Sequence, residues 1–333
     1  MSAGSPELVL STAPFARTTT TTPHVMLEVL AAALLVLLAA CWNFGIGALL
    51  VVGAAVAGAV GTEWLFTRSQ PVSPLSDYSA VLTGVLLGLT LPPALPLWMA
   101  FLGGVAGVGL GKLIFGGLGQ NLFNPALVGR AFLQAAFPTS ITTWSAPVQP
   151  GGFLSIPSSL FAPPLMSGKV DAMSAATPLG LAKFESQLTD LGPLLLGNTA
   201  GSLGETSALL LLLCGVWLGA RRMFDWRLPV STLLSVGIFA GLLYLISPEG
   251  YPPPGFMLLS GGLLFGAIFM VTDPVTTPTT SRGAWIFGAG VGALVVLIRL
   301  FGGLPEGVMY AILLMNAAVP HITRHTQPRP LGG

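Results

Sequence analysis

Charge is what this chain has least of. Only 8% of its 333 residues are Asp, Glu, Lys or Arg, and 53% are hydrophobic. A soluble globular chain carries about 25% charged residues. With so few charges the surface cannot be covered by water-compatible groups, so a soluble fold is excluded and lipid must be the main solvent. The alternating apolar and polar pattern of a membrane barrel is also missing, because runs such as Val29–Ala40 are continuously apolar. The net charge of +1 argues neither for nor against a partner, but no long Lys/Arg run exists, so no nucleic acid is expected as a partner. There are two cysteines, Cys41 and Cys214, each inside an apolar segment and without a Cys or His at metal-ligand spacing. They read as small packing residues, and the chain holds no iron–sulfur cluster by itself. The first 22 residues lack the basic start and apolar stretch of a signal peptide; with Thr18 to Thr22 in a row, they read as a cytoplasmic tail.

What is present is a series of ten apolar segments, near 25–42, 44–67, 79–95, 97–117, 122–137, 206–220, 228–247, 256–272, 284–301 and 305–323. The expected fold is therefore an all-α polytopic membrane protein with about ten transmembrane helices. Several segments fall short of the roughly 20 residues that span a bilayer. The short segment 122–137 and the break at Leu91-Pro92-Pro93 predict interrupted helices. Gly111-Lys-Leu-Ile-Phe-Gly-Gly-Leu118 echoes Leu297-Ile-Arg-Leu-Phe-Gly-Gly-Leu304, which predicts two related halves. The resulting division is a tail over 1–22, a first membrane half over 23–137, a polar connection over 138–205, a second half over 206–323 and a tail over 324–333. Arg17, Arg68, Arg221, Arg222, Arg227, Arg282, Arg324 and Arg329 fall on one side of a ten-span chain. The positive-inside rule puts that side, with both termini, in the cytoplasm, and the 138–205 connection on the outer face.

Few residues can carry chemistry. Thr177 precedes Pro178, which pushes it out of α geometry, and Ala175 and Ala176 before it add no bulk. Its hydroxyl is thus held on an accessible extended peptide; a plain surface turn is the competing reading. Asn121 and Asn124 follow a Gly-rich break where the chain re-enters the membrane. Their amides could bind a flavin ring or an ion, or one of them could cap the new helix. Gly116, Gly117 and Gly119 would let backbone approach a ligand. Arg130 lies near the middle of the fifth segment, too deep to reach the interface easily, so it should pair with a cofactor or a carboxylate. Lys112 and Arg299 hold equivalent places in the two repeats. Lys112, Glu28 and Glu205 are expected to snorkel to the interface. His24, His321 and His325 read as interface residues, and no metal site is expected. Thr276, Thr277, Thr279 and Thr280 form a second hydroxyl cluster, on the cytoplasmic side of the expected topology.

Five stretches together resemble one family. Asp171-Ala-Met-Ser-Ala-Ala-Thr177 is similar to a flavinylation motif, with Asp171, Ser174 and Ala176 at matching places and Ala175 replacing the usual Gly or Ser. Gly116–Gly129, Gly197–Thr206, Phe269–Pro278 and Met315–Pro320 resemble four further signatures. The likeness is to the RnfD/NqrB family, membrane subunits of the Rnf and Na+-translocating NADH:quinone reductase complexes. The short N-terminus places the chain nearer the RnfD branch. The resemblance implies FMN esterified to Thr177, with Asp171, Ser174 and Ala176 read by a flavin transferase. It leaves room for a second, non-covalent riboflavin. It implies work within an Rnf complex whose A, B, C, E and G components handle ferredoxin and NAD, in a bacterial inner membrane, coupled to Na+ or H+ movement. No catalytic residue is expected in this chain alone. The competing readings are an NqrB-like role and a flavin-free secondary transporter or channel, for which broken helices and an internal repeat are equally apt.

Overall fold

In a computed structural model, residues 21–69, 74–147, 153–154, 156–164, 175–205 and 207–328 are described, and among them there is no strand. The first group of helices is α1 (Thr22–Phe44), α2 (Gly47–Thr67), α3 (Ser79–Leu89), α4 (Leu97–Gly111) and α5 (Pro125–Ala136). Three short helices follow in the connection: α6 (Pro138–Ile141), α7 (Pro178–Gly180) and α8 (Leu191–Leu196). The second group is α9 (Ala208–Ala220), α10 (Arg227–Ile246), α11 (Pro254–Leu259), α12 (Leu263–Phe265), α13 (Ser281–Phe301) and α14 (Val308–Thr326). Among the described residues, five helices are long and apolar enough to cross a membrane: α1, α2, α4 with its extension to Phe115, α10 and α13. The protein is an all-α, multi-pass membrane protein.

The expected segments that fall short are interrupted, each for a visible reason. The 79–95 segment stops being helical at Leu89, just before Pro92 and Pro93, which lack the N–H needed to continue. The 256–272 segment breaks at Ser260–Gly262, with Gly261 at φ 65°, and resumes as α12 and one π-turn to Met270. The freed carbonyls at the end of α11 are not left bare. Arg299 donates to Met257 O at 2.7 Å and to Ser260 O at 3.0 Å. Between α4 and α5, Gly116, Gly117 and Gly119 sit at φ 109°, 105° and 90°. Nothing lies within 4 Å of a Cβ built on Gly117 or Gly119. At these positive φ values L side chains are strained, so the glycines serve backbone conformation.

Chain direction can be followed through the contacts. Gly58 meets Phe101, Gly104 meets Ala55 and Ala59, and Lys112 meets Glu63, so α2 and α4 run parallel. A methyl group on Gly58 or Gly104 would overlap backbone of the facing helix, which is why this pair uses glycine. In the second group Ser231 Oγ reaches Ala284 O and Ser235 Oγ reaches Ala289 O, so α10 and α13 also run parallel. Glu28 near the start of α1 pairs with Arg221 just after α9 at 2.5 Å, and Cys214 faces Ala32 O. Thus α9 runs against α1, and the α10–α13 pair runs against the α2–α4 pair. The second group repeats the first upside down, the arrangement of an inverted repeat.

The equivalent cations of the repeat behave differently from expectation. Lys112 does not snorkel: it is buried at the α2–α4 crossing, bonded to Glu63 and to Ser79 Oγ at 2.6 Å. Two charges at 2% and 1% side-chain exposure are stable only together. Arg299 is buried too and pairs with Glu306 at 3.2 Å. Removing one partner at the first site strands the other. Lys112→Met is expected to lower stability by about 3–5 kcal/mol, while Lys112→Met with Glu63→Leu should recover most of it. Thermal unfolding of the detergent-purified protein checks this, and equal losses in the single and double variants would contradict it.

Candidate functional site

The connection between the two groups folds back over the ends of the helices. Thr177 has φ −73° and ψ 154°, the extended backbone that Pro178 imposes. Its Oγ1 accepts from Gly180 N at 3.1 Å, capping the short α7. Ala175 N donates to Trp144 O at 2.8 Å, tying the arm to the stretch after α6. After α7 comes one π-turn, Leu181–Glu185, closed by Ser186 at φ 56°. Leu179 buries its side chain against Leu194 and Phe256. Asp171 and Ser174 lie outside the described residues.

Thr177 and Ala176 open onto a cavity of about 410 Å³, within the roughly 300–1,000 Å³ of ordinary ligand sites. Thr90, Arg130, Glu205, Glu306 and Tyr310 line it with them. Arg130 comes from the middle of α5 and donates through Nη1 to Thr90 O, at the end of α3. Among the described residues no carboxylate lies within ion-pair distance of it, although Glu205 and Glu306 share its cavity. Glu205 does not snorkel: Ser202 Oγ donates to it at 2.7 Å, and it faces the cavity. Glu306 accepts from Gly262 N at 2.9 Å and from Arg299. The cavity combines polar and aromatic groups, with the carboxylates of Glu205 and Glu306 on its wall. A hydroxyl opens onto it, a guanidinium with one protein acceptor faces it, and Phe184 and Tyr310 add aromatic lining.

Asn121 and Asn124 are elsewhere. Asn124 caps α5, accepting from Ala126 N at 3.1 Å and Leu127 N at 3.3 Å. Its backbone N–H donates to Asn316 Oδ1 at 3.3 Å, and its Nδ2 donates to Asp273 Oδ2 at 3.4 Å. Asn316 in turn donates to Thr276 O at 2.9 Å. The asparagines thus strap the start of α5 to α14 and to the 271–280 turn. Asn121 donates to Phe123 O, and its buried Oδ1 has no partner among the described residues. Both asparagines border a void of only about 70 Å³, beside Lys112 and Asp273. That is far below the roughly 300 Å³ at which ligand pockets begin. Asn121 also lines a second, more open space of about 460 Å³, together with Thr276 and Arg324.

Other expectations resolve simply. Glu28 pairs with Arg221 and lies 3.8 Å from His24, and His325 Nδ1 contacts His321 O. No group of three or more potential metal ligands occurs among the described residues. Thr280 caps α13 and meets Thr326 at 2.5 Å. Glu306 was not a candidate from the sequence; the Pro305-Glu306-Gly307 turn after the Gly-Gly repeat was the available signal.

Comparison with known proteins agrees with this architecture. A model of the NQR2, RnfD, RnfE family matches residues 9–332. The D component of an ion-translocating oxidoreductase complex from Stutzerimonas stutzeri is 45% identical over 284 residues, 80% of this chain and 79% of that protein. The D component of a proton-translocating ferredoxin:NAD(+) oxidoreductase complex from Clostridium ljungdahlii is 41% identical over 307 residues, 87% of this chain and 86% of that protein. The D component of an ion-translocating oxidoreductase complex from Escherichia fergusonii is 39% identical, covering 97% of this chain and 98% of that protein. The chain belongs to the NQR2, RnfD, RnfE family.

Proposed function

We propose that this protein is the RnfD-type membrane component of an Rnf electron transport complex, carrying FMN covalently on Thr177. The observation that carries this reading is the shared cavity: Thr177, on an extended arm, opens onto the same space as Arg130. The relatives named as D components of ion-translocating oxidoreductase complexes support the assignment to such a complex. Bound FMN would supply electron transfer. The chain's residues do the rest. Thr177 supplies the hydroxyl, and α7 holds it through the Gly180 N–H. Arg130 keeps positive charge at the cavity wall, where it stabilises negative charge arriving with electrons. The apolar side chains Leu127, Phe265 and Met309 limit water.

In this reading NAD and ferredoxin are handled by partner proteins of the A, B, C, E and G types. A flavin transferase loads Thr177, and transfer is coupled to Na+ or H+ movement across the bacterial inner membrane. The protein is part of a translocase and is inactive alone. An NqrB-like role is the neighbouring alternative within the family, and a flavin-free transporter the distant one. A second, non-covalent flavin near Asn121 is supported by its Oδ1, which has no partner among the described residues, and by the space of about 460 Å³ that Asn121 lines. Ultraviolet fluorescence of the denatured protein, co-expressed with a flavin transferase, decides between the flavoprotein and the transporter. A dark band after confirmed co-expression removes the covalent flavin.

Orientation forms part of the proposal. The helix directions put the arm bearing Thr177 at the opposite end of the bundle from Arg221 and Arg222. With the Arg-rich end and both termini inside, Thr177 faces outward. Reporter fusions after Arg222 and beside Thr177 should give opposite sidedness; the same sidedness at both would remove this topology.

A further inference from the structure

The arm that bears Thr177 is latched by a residue outside the cavity. Six positions after Thr177, Lys183 sends its ammonium to the end of α13. It donates to Arg299 O at 2.9 Å, Gly302 O at 2.5 Å and Leu304 O at 3.1 Å. An ammonium has three N–H donors, and all three are used. Arg299 O is one of the carbonyls that the last turn of α13 leaves without an intrahelical partner, at the negative pole of its dipole, and Gly302 O and Leu304 O follow just beyond the helix. Gly302, the C-cap residue, closes the helix and helps turn these oxygens toward one point. The same helix end carries Arg299 on its other side, bonded to Glu306, and Glu306 lines the cavity. One rigid helix end therefore holds both the arm and a cavity wall. Without the lysine, Leu179 and the Ala175–Trp144 hydrogen bond remain as anchors at the other end of the arm.

We propose that Lys183 is a positioning residue: by binding the carbonyls at and just after the end of α13 it fixes the Thr177 arm and sets how a group on Thr177 enters the Arg130 cavity. The second half of this statement rests on the flavin reading of Thr177; the first half does not. Lys183 does not line the Thr177 cavity, and it acts through the backbone between residues 177 and 183. Its length and single charged head suit three convergent carbonyls. The planar fork of an arginine matches two of them at best.

The test compares wild type, Lys183→Met and Lys183→Arg in the assembled complex. Three measurements are made: hydrogen exchange of residues 175–190, flavin content of the Thr177 peptide, and turnover with the midpoint potential of the bound flavin. Lys183→Met should keep its partner proteins and its flavin, yet exchange the arm about tenfold faster or more, because charge-assisted hydrogen bonds are lost. Turnover should fall about tenfold, the cost of misplacing a reacting group by a fraction of its span. Lys183→Arg should recover part of both. Unchanged exchange in Lys183→Met overturns the latch. Faster exchange with unchanged turnover and potential overturns the positioning role. Failure of Lys183→Met to assemble makes the residue purely structural and also overturns it. A wild-type complex without flavin on Thr177 refutes the reading of Thr177 instead, and the exchange data still decide the latch.

Discussion

Thr177→Ala abolishes the fluorescent band of the denatured protein, while Thr276→Ala and Thr277→Ala leave it intact: this is the largest effect expected. The reason is access as much as motif. Thr177 sits half-buried on an extended arm at a cavity mouth, and its O–H donates to no acceptor among the described residues. Thr276 and Thr277 are buried, at 2% and 7% exposure. Their hydroxyls are committed to Asp273, at 3.1 Å to a carboxylate oxygen and 2.8 Å to the carbonyl. A modifying enzyme would have to unfold that turn to reach them. Mass spectrometry of the peptide carrying Thr177 gives the same answer independently. A band that survives in Thr177→Ala would move the flavin elsewhere.

Arg130→Ala should lower turnover of the assembled complex on the order of a hundredfold, as when one preorganised charge-stabilising donor is removed. Arg130→Lys should be intermediate, because it keeps the charge and loses the planar set of donors. Assembly should suffer far less than turnover. The guanidinium makes one protein hydrogen bond, to Thr90 O, and no ion pair among the described residues. The midpoint potential of the bound flavin should fall in the Ala variant, since a nearby positive charge favours the more negative reduced form. The measurement needs complexes matched for composition and for Thr177 flavin. Unchanged turnover and potential would reduce Arg130 to a cap on the α3 carbonyls.

Much of the architecture was legible in the chain. Scarcity of charge required a membrane solvent, and the echo of Gly111–Leu118 in Leu297–Leu304 pointed to a repeat. Short segments and proline pairs indicated interruptions, and α3 ends where Pro92 and Pro93 require it. The backbone of Thr177 followed from Pro178. These are local effects: they depend on solvation and on one or two neighbouring residues.

Partnership was not legible, because it depends on how helices distant in sequence cross. Lys112, expected at the interface, lies 49 positions from Glu63, and their parallel helices bury the two as a pair. Arg130 and Asn124 share one short helix, yet they serve opposite ends of it, one facing the Thr177 cavity and the other strapping α14. Lys183 carried no signal and Glu306 only that of its turn, since each acquires its role only where the arm and the Pro305–Gly307 turn converge on the end of α13. The sequence by itself determined the solvent, the helical class, the interruptions and the extended Thr177 arm, because composition and proline act locally. The tertiary structure alone decided which charges meet, which asparagine caps a helix and which residues share the cavity, because those depend on long-range packing that burial enforces.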